Sequence, residues 1–175
     1  MPRFRLTRIF LHLIILLTPT LFAHAQDTTG LKRPAYTLKL AVDKEYFYED
    51  NIKSTPYILP DTTIQMFPGE TVYVEVTQEN GVIKKMLAVP EIRDSTKTIT
   101  ISFWQETKGK VHEMIMLKMI NPFPYQFLYQ ARIYLLKQKR WVVTDVYPVE
   151  PGLSGFETWP DIITSIALNG WKFKR

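Results

Sequence analysis

The chain has 175 residues, 46% of them hydrophobic, with 22 Lys and Arg against 17 Asp and Glu, a formal net charge of +5, and no cysteine. The lack of cysteine excludes disulfides, a thiol nucleophile, cysteine metal sites and an anchor acylated on cysteine. The basic residues are scattered rather than clustered, which excludes the electrostatic footprint of a nucleic-acid-binding surface.

The chain opens with Arg3, Arg5 and Arg8, an apolar run from Ile9 to Leu17, Pro19, and then Ala23-His24-Ala25. Charged, apolar and small-residue regions in that order predict a secretory signal peptide over residues 1–25, cleaved after Ala25. Even extended to Phe22 the apolar run has 14 residues, short of the roughly 20 that cross a bilayer as a helix. The protein is thus expected to be exported, to a periplasm or beyond the cell. From Gln26 onward 19 basic residues face 17 acidic ones over 150 positions, a formal net charge of +2. That length buries one ordinary core, so one domain is expected, over residues 36–175, after a flexible polar lead-in over 26–35.

Beyond residue 35 the chain reads as strand after strand. "YTLKLAV" from Tyr36 alternates apolar and polar residues, and "TTIQMF" from Thr62 meets a Pro68-Gly69 turn before "TVYVEVT", where Val72, Val74 and Val76 share a face. Between the first two lies Asp43 to Asp61, rich in tyrosine and acids, which reads as an edge strand followed by a long loop. Asn80-Gly81 predicts a tight hairpin into "VIKKMLAV", because both central positions of such a turn need positive φ. Ile99, Ile101 and Phe103 share the next face. "VHEMIMLKMI" from Val111 is apolar on both faces, as in a central strand covered on both sides.

Asn121-Pro122-Phe123-Pro124 ends that strand, since proline cannot donate to a ladder. Residues 127–137 and 141–147 form a hairpin across the basic turn Lys137 to Arg140, which reads as a solvated turn. Residues 161–168, a turn at Asn169-Gly170 and a short "WKF" complete about ten strands. Many short strands without an amphipathic helix predict an all-β, single β-sandwich of immunoglobulin-like type, with a jelly roll as the competing topology.

Catalytic chemistry finds little support. His112 is the one histidine after residue 25, so no histidine-rich metal site can form, and no metal or other cofactor is expected. "GLSG" around Ser154 has neither the spacing nor the following helix of a nucleophile elbow. Glu49-Asp50-Asn51 lacks the loop that would make it a calcium site. Two carboxylates suffice for glycoside hydrolysis if they lie roughly 5 Å apart, or roughly 6.5–9.5 Å for inversion; Glu150 and Glu157 are the pair to consider, with Asp145 and Asp161 outside them.

The stretch "VYPVEPGLSGFETWP", residues 146–160, is too long for a tight turn. It reads as a proline-stiffened crossover between sheets and also as a recognition loop, because Tyr147, Phe156 and Trp159 are good anchors. Trp159-Pro160 is a candidate cis bond. The function expected is a non-catalytic exported sandwich that binds a protein partner of the envelope or the exterior through Tyr147, Glu150, Phe156, Glu157 and Trp159. A carbohydrate-binding module on the same aromatics, or on Tyr46 and Tyr48, is the alternative, and a small carboxylate glycosidase the second.

Overall fold

The structure, a computed structural model, describes residues 30–174; the expected signal peptide lies outside the described residues. Eleven strands and no helix occur among them: β1 (Tyr36–Ala41), β2 (Phe47–Ile52), β3 (Ile64–Met66), β4 (Glu70–Glu79), β5 (Val82–Val89), β6 (Thr98–Lys108), β7 (Val111–Ile120), β8 (Gln126–Leu135), β9 (Arg140–Thr144), β10 (Ser154–Trp159) and β11 (Ile163–Lys174). They form an antiparallel five-stranded sheet in the order β10-β7-β6-β4-β5, a four-stranded sheet in the order β3-β11-β8-β9, and a separate β1-β2 hairpin.

The alternation in sequence is what joins the two sheets. Val72, Val74 and Val76 of β4 turn inward beside Ile99, Ile101 and Phe103 of β6 and Ile115, Leu117 and Met119 of β7, all buried. Facing them in the same core are Phe127, Ala131 and Ile133 of β8 and Ile163, Ile166 and Leu168 of β11. Each such side chain contributes about 1.5–3 kcal/mol when fully withdrawn from water. The result is a β-sandwich. The outer residues of β7, Met114 to Ile120 on alternate positions, are only half-buried, so that strand is covered on one face and not on both as its sequence suggested.

Turn chemistry matches the sequence at Asn80 (φ 50°) and Gly81 (φ 76°), where β4 reverses into β5. It departs at Asn169-Gly170: β11 runs on through this pair, pairing with β8 on both sides of a register shift between Asn169 and Lys172. Gly170 (φ 67°) serves a bulge there, a second use of a residue that tolerates the left-handed region. The Trp159-Pro160 bond is trans.

One side of the sandwich is laced shut by irregular chain. Leu31 N–H donates to the Ala88 carbonyl of β5 (3.4 Å), Tyr57 N–H to the Leu31 carbonyl (3.2 Å), and Gln65 N–H of β3 to the Tyr57 carbonyl (3.1 Å). Residues 31–33, in the segment expected to be a flexible lead-in, thus bridge the two sheets, and Arg33 is fully buried. The β1-β2 hairpin packs Leu38, Leu40 and Ile52 into a small cluster of its own with Phe67 and Ile162. The last residue of β1 is clamped by Gln105, whose Oε1 accepts from Ala41 N–H (2.9 Å) and whose Nε2 donates to the Ala41 carbonyl (2.8 Å).

Candidate recognition surface on the open side

The opposite side is built from the 145–160 segment. After β9 the chain crosses to the five-stranded sheet and enters it as β10, antiparallel to β7 with Phe156 opposite Lys118; it then crosses back as β11. The stretch is therefore a crossover, as its length and prolines suggested, and its second half is a strand.

Asn121 fixes the crossing. It is fully buried, and its Nδ2 donates to the carbonyls of Tyr125 (2.8 Å), Val149 (3.0 Å) and Glu150 (3.2 Å) while its Oδ1 accepts from Phe123 N–H (3.0 Å). Val149 exchanges two backbone hydrogen bonds with Phe127, 2.9 Å each, and its side chain fills the space beneath Gly155. A Cβ on Gly155 would lie 2.8 Å from Val149 Cγ2, closer than carbon atoms approach without displacement. Glycine is therefore required there by close approach, not by φ.

The candidate residues divide between the two faces of β10 because successive side chains alternate. Phe156 points outward, 54% exposed, with Lys118 Nζ 5.5 Å from its ring centroid. Glu157 and Trp159 are half-buried on the inner side; Trp159 packs against the main core and its Nε1 donates to Thr144 Oγ1 (3.0 Å). Glu157 Oε1 accepts from Tyr147 N–H (2.7 Å). Partial burial raises the Glu157 carboxyl above its ordinary range, and the bond from Tyr147 offsets part of that rise. Tyr147 itself is 80% exposed and Leu153 59%. Glu150 accepts from Gln126 Nε2 (2.6 Å). The structure thus joins Tyr147 to Glu157, leaves Phe156 alone on the outer face, and engages Glu150 and Glu157 with different partners. No aromatic platform unites Phe156 with Trp159.

Two clusters that sequence reasoning did not single out are structural. Arg33 lies between the rings of Tyr57 and Phe67, 4.7 and 5.0 Å from their centroids. Its Nε donates to Glu70 Oε1 (2.8 Å), and its other nitrogens bond Thr55 Oγ1 and the Gln65 carbonyl. Glu70 further accepts from Tyr36 Oη (3.2 Å) and Phe67 N–H (2.9 Å). Burial, reinforced by the Glu70 charge, pushes the Tyr36 phenol well above its usual range. A signal for this site existed in the phase of β4: Glu70 occupies the same inward register as Val72, Val74 and Val76. Nothing in the sequence marks its partner, 37 positions earlier.

The second cluster holds His112 at the end of the β6-β7 hairpin. The Gln105 amide is oriented by both backbone groups of Ala41, so its Nε2 is the donor to His112 Nδ1 (2.9 Å), and His112 Nε2–H donates to the Pro160 carbonyl (3.0 Å). Both ring nitrogens are engaged with structure. Among the described residues no group of three or more His, Asp or Glu gathers to hold a metal ion.

A scan against protein-family models found no match to this chain, and searches of curated proteins and of solved structures found none either.

Proposed function

We propose that this chain is an exported, non-catalytic β-sandwich that acts by presenting the flank between Trp141 and Phe156 to a protein partner in the cell envelope or outside the cell. The observation that carries this is the distribution of exposed apolar side chains. Of the nine large ones among the described residues, five (Trp141, Val143, Tyr147, Leu153 and Phe156) belong to β9, β10 and the segment that joins them. Interfaces use such residues as anchors, and Asn121 holds the backbone from Val149 to Leu153 between them in place before binding, which lowers the ordering cost.

The immunoglobulin-like type enters this proposal only as two-sheet architecture. An immunoglobulin constant domain sends its third strand to the opposite sheet, so that the B–C connection crosses the sandwich. Here the hairpins β4-β5, β6-β7 and β8-β9 each stay within one sheet, and the crossings fall at β3-β4, β7-β8, β9-β10 and β10-β11.

Photo-crosslinking residues placed at Tyr147 and at Leu153, with Val82 on the far edge as control, test the reading in the native envelope. A discrete adduct from the first two positions and none from Val82 supports it; equal yields at all three overturn it. A glycan titration followed by tryptophan fluorescence separates the carbohydrate alternative: a saturable change lost in Trp159→Ala would reassign the surface to sugar.

A further inference from the structure

The β10 edge has properties that go beyond a patch of exposed side chains. Asn121 N–H donates to the Leu153 carbonyl (3.0 Å), and the register then runs Ser154 opposite Ile120, Gly155 opposite Met119 and Phe156 opposite Lys118. In an antiparallel ladder, hydrogen-bonded and non-bonded pairs alternate. Since 153 and 121 are bonded, Gly155, Glu157 and Trp159 direct their backbone groups to β7. Ser154, Phe156 and Thr158 direct N–H and C=O away from it, and all three are exposed.

Sheet edges are ordinarily covered, shortened or guarded by lysine or proline. Three of the four edges of the two sandwich sheets follow that pattern. β3 is paired with residue 57, and β5 carries Lys84 and Lys85 and is met by Leu31. β9 has five residues led by Arg140. β10 has neither lysine nor proline within it, and its one charge, Glu157, is turned inward.

We propose that the β10 edge pairs antiparallel with β10 of a second copy of this chain, about a two-fold axis through Phe156, so that the two five-stranded sheets become one continuous sheet. This rests on the reading of the flank as an interaction surface and names the partner for its edge. The occupant follows from self-complementarity. With Phe156 opposite Phe156 of the second copy, Ser154 faces Thr158 and Thr158 faces Ser154, and the outward groups of both strands meet in about six N–H to carbonyl bonds. The one charged residue falls opposite Gly155 of the other copy, so no like charges oppose each other. The two outward rings form a cross-strand aromatic pair, which strengthens sheets. An isologous contact of this kind closes on itself as a dimer. A six-residue edge buries less than the roughly 1,200 Å² of a standard stable interface, so the association is concentration-dependent.

The absence of native cysteine makes the register directly testable by oxidation of single introduced thiols in the protein from Gln26 onward. Ser154→Cys and Thr158→Cys, each alone, place their thiols four residues out of register, about 14 Å apart, and remain uncrosslinked. Mixed together they crosslink several-fold more than either alone, because 154 opposes 158 at about 5.5 Å between Cα atoms, within disulfide reach. Phe156→Cys crosslinks to itself, whereas Tyr46→Cys on the exposed hairpin does not exceed random collision. Thr158→Pro removes an outward N–H, leaves the β7 ladder intact, and abolishes the Phe156→Cys crosslink with the circular dichroism unchanged. Should the mixed pair do no better than its components, or sedimentation show monomer alone at millimolar concentration, self-pairing is overturned. Envelope adducts at Tyr147 and Leu153 persisting in that case leave the surface reading standing, with a foreign chain as the partner.

Discussion

At the scale of single residues, Arg33 and Glu70 show how a charge survives in an apolar sandwich. Every polar atom of the pair has a partner, and two aromatic faces take up the guanidinium. Removing one member strands the other, which costs about 3–5 kcal/mol for a buried pair. Arg33→Met is expected to lower the stability measured by urea unfolding by that amount, and Arg33→Met with Glu70→Gln to recover part of it. Gly155→Ala forces its new methyl onto Val149 and is expected to cost about 1–3 kcal/mol, as overpacking does; adding Val149→Ala opens the space and relieves it.

Glu157 gives a pH dependence of defined sign. Its carboxyl is raised in the folded state by burial, so its contribution is most favourable at acid pH, where it is protonated, and is lost as pH rises through the folded value. Glu157→Gln keeps an acceptor for Tyr147 N–H and carries no charge. Its melting temperature relative to the parent should therefore be higher at pH 7.5 than at pH 4; a gap that is constant or larger at pH 4 would contradict the assignment.

At the scale of elements, legibility followed how much of a strand's face is buried. The β4-β5 hairpin was readable because Asn80-Gly81 sets the turn and three valines set the face. β6 and β8 were readable for the same alternation. β10 was not, because an edge strand buries little: "SGFETW" has glycine on one side of Phe156 and threonine two residues later, and Pro151 just ahead suggests a loop. The crossover half of that stretch was legible from its prolines and length. Of its candidate residues, Tyr147 and Phe156 are exposed, while Trp159 is held inward by Thr144, a contact between strands that sequence cannot display. Asn121 is the element-level hinge of the surface. Asn121→Leu removes the side-chain donor shared by the carbonyls of Tyr125, Val149 and Glu150, and should raise the hydrogen-exchange rates of Tyr147 and Gly152 amides well before those of β7.

At the scale of the molecule, the two sheets close differently on their two sides: backbone lacing through residues 31, 57 and 65 on one, a crossing strand and exposed apolar side chains on the other. Composition and alternation announced a sandwich; strand order depends on which hairpins cross between sheets, and that is decided by contacts as far apart in sequence as Gln65 Nε2 to Ser165 Oγ (3.2 Å). The last strand sits in the interior of its sheet, between β3 and β8. A chain ending at Asp161 is expected to lose cooperative unfolding altogether, with dye binding to the exposed inner faces of β3 and β8.

That interior position of β11 also bears on timing. A chain delivered from its amino end brings out β3 and β8 long before the strand that must lie between them, so the four-stranded sheet has no stable partial form during delivery. The early strands wait with unpaired inner edges until residue 163 and beyond have emerged. Closure of the four-stranded sheet is thus deferred to the end of delivery, while the β4-β5, β6-β7 and β8-β9 hairpins, which need no later strand, can form before it.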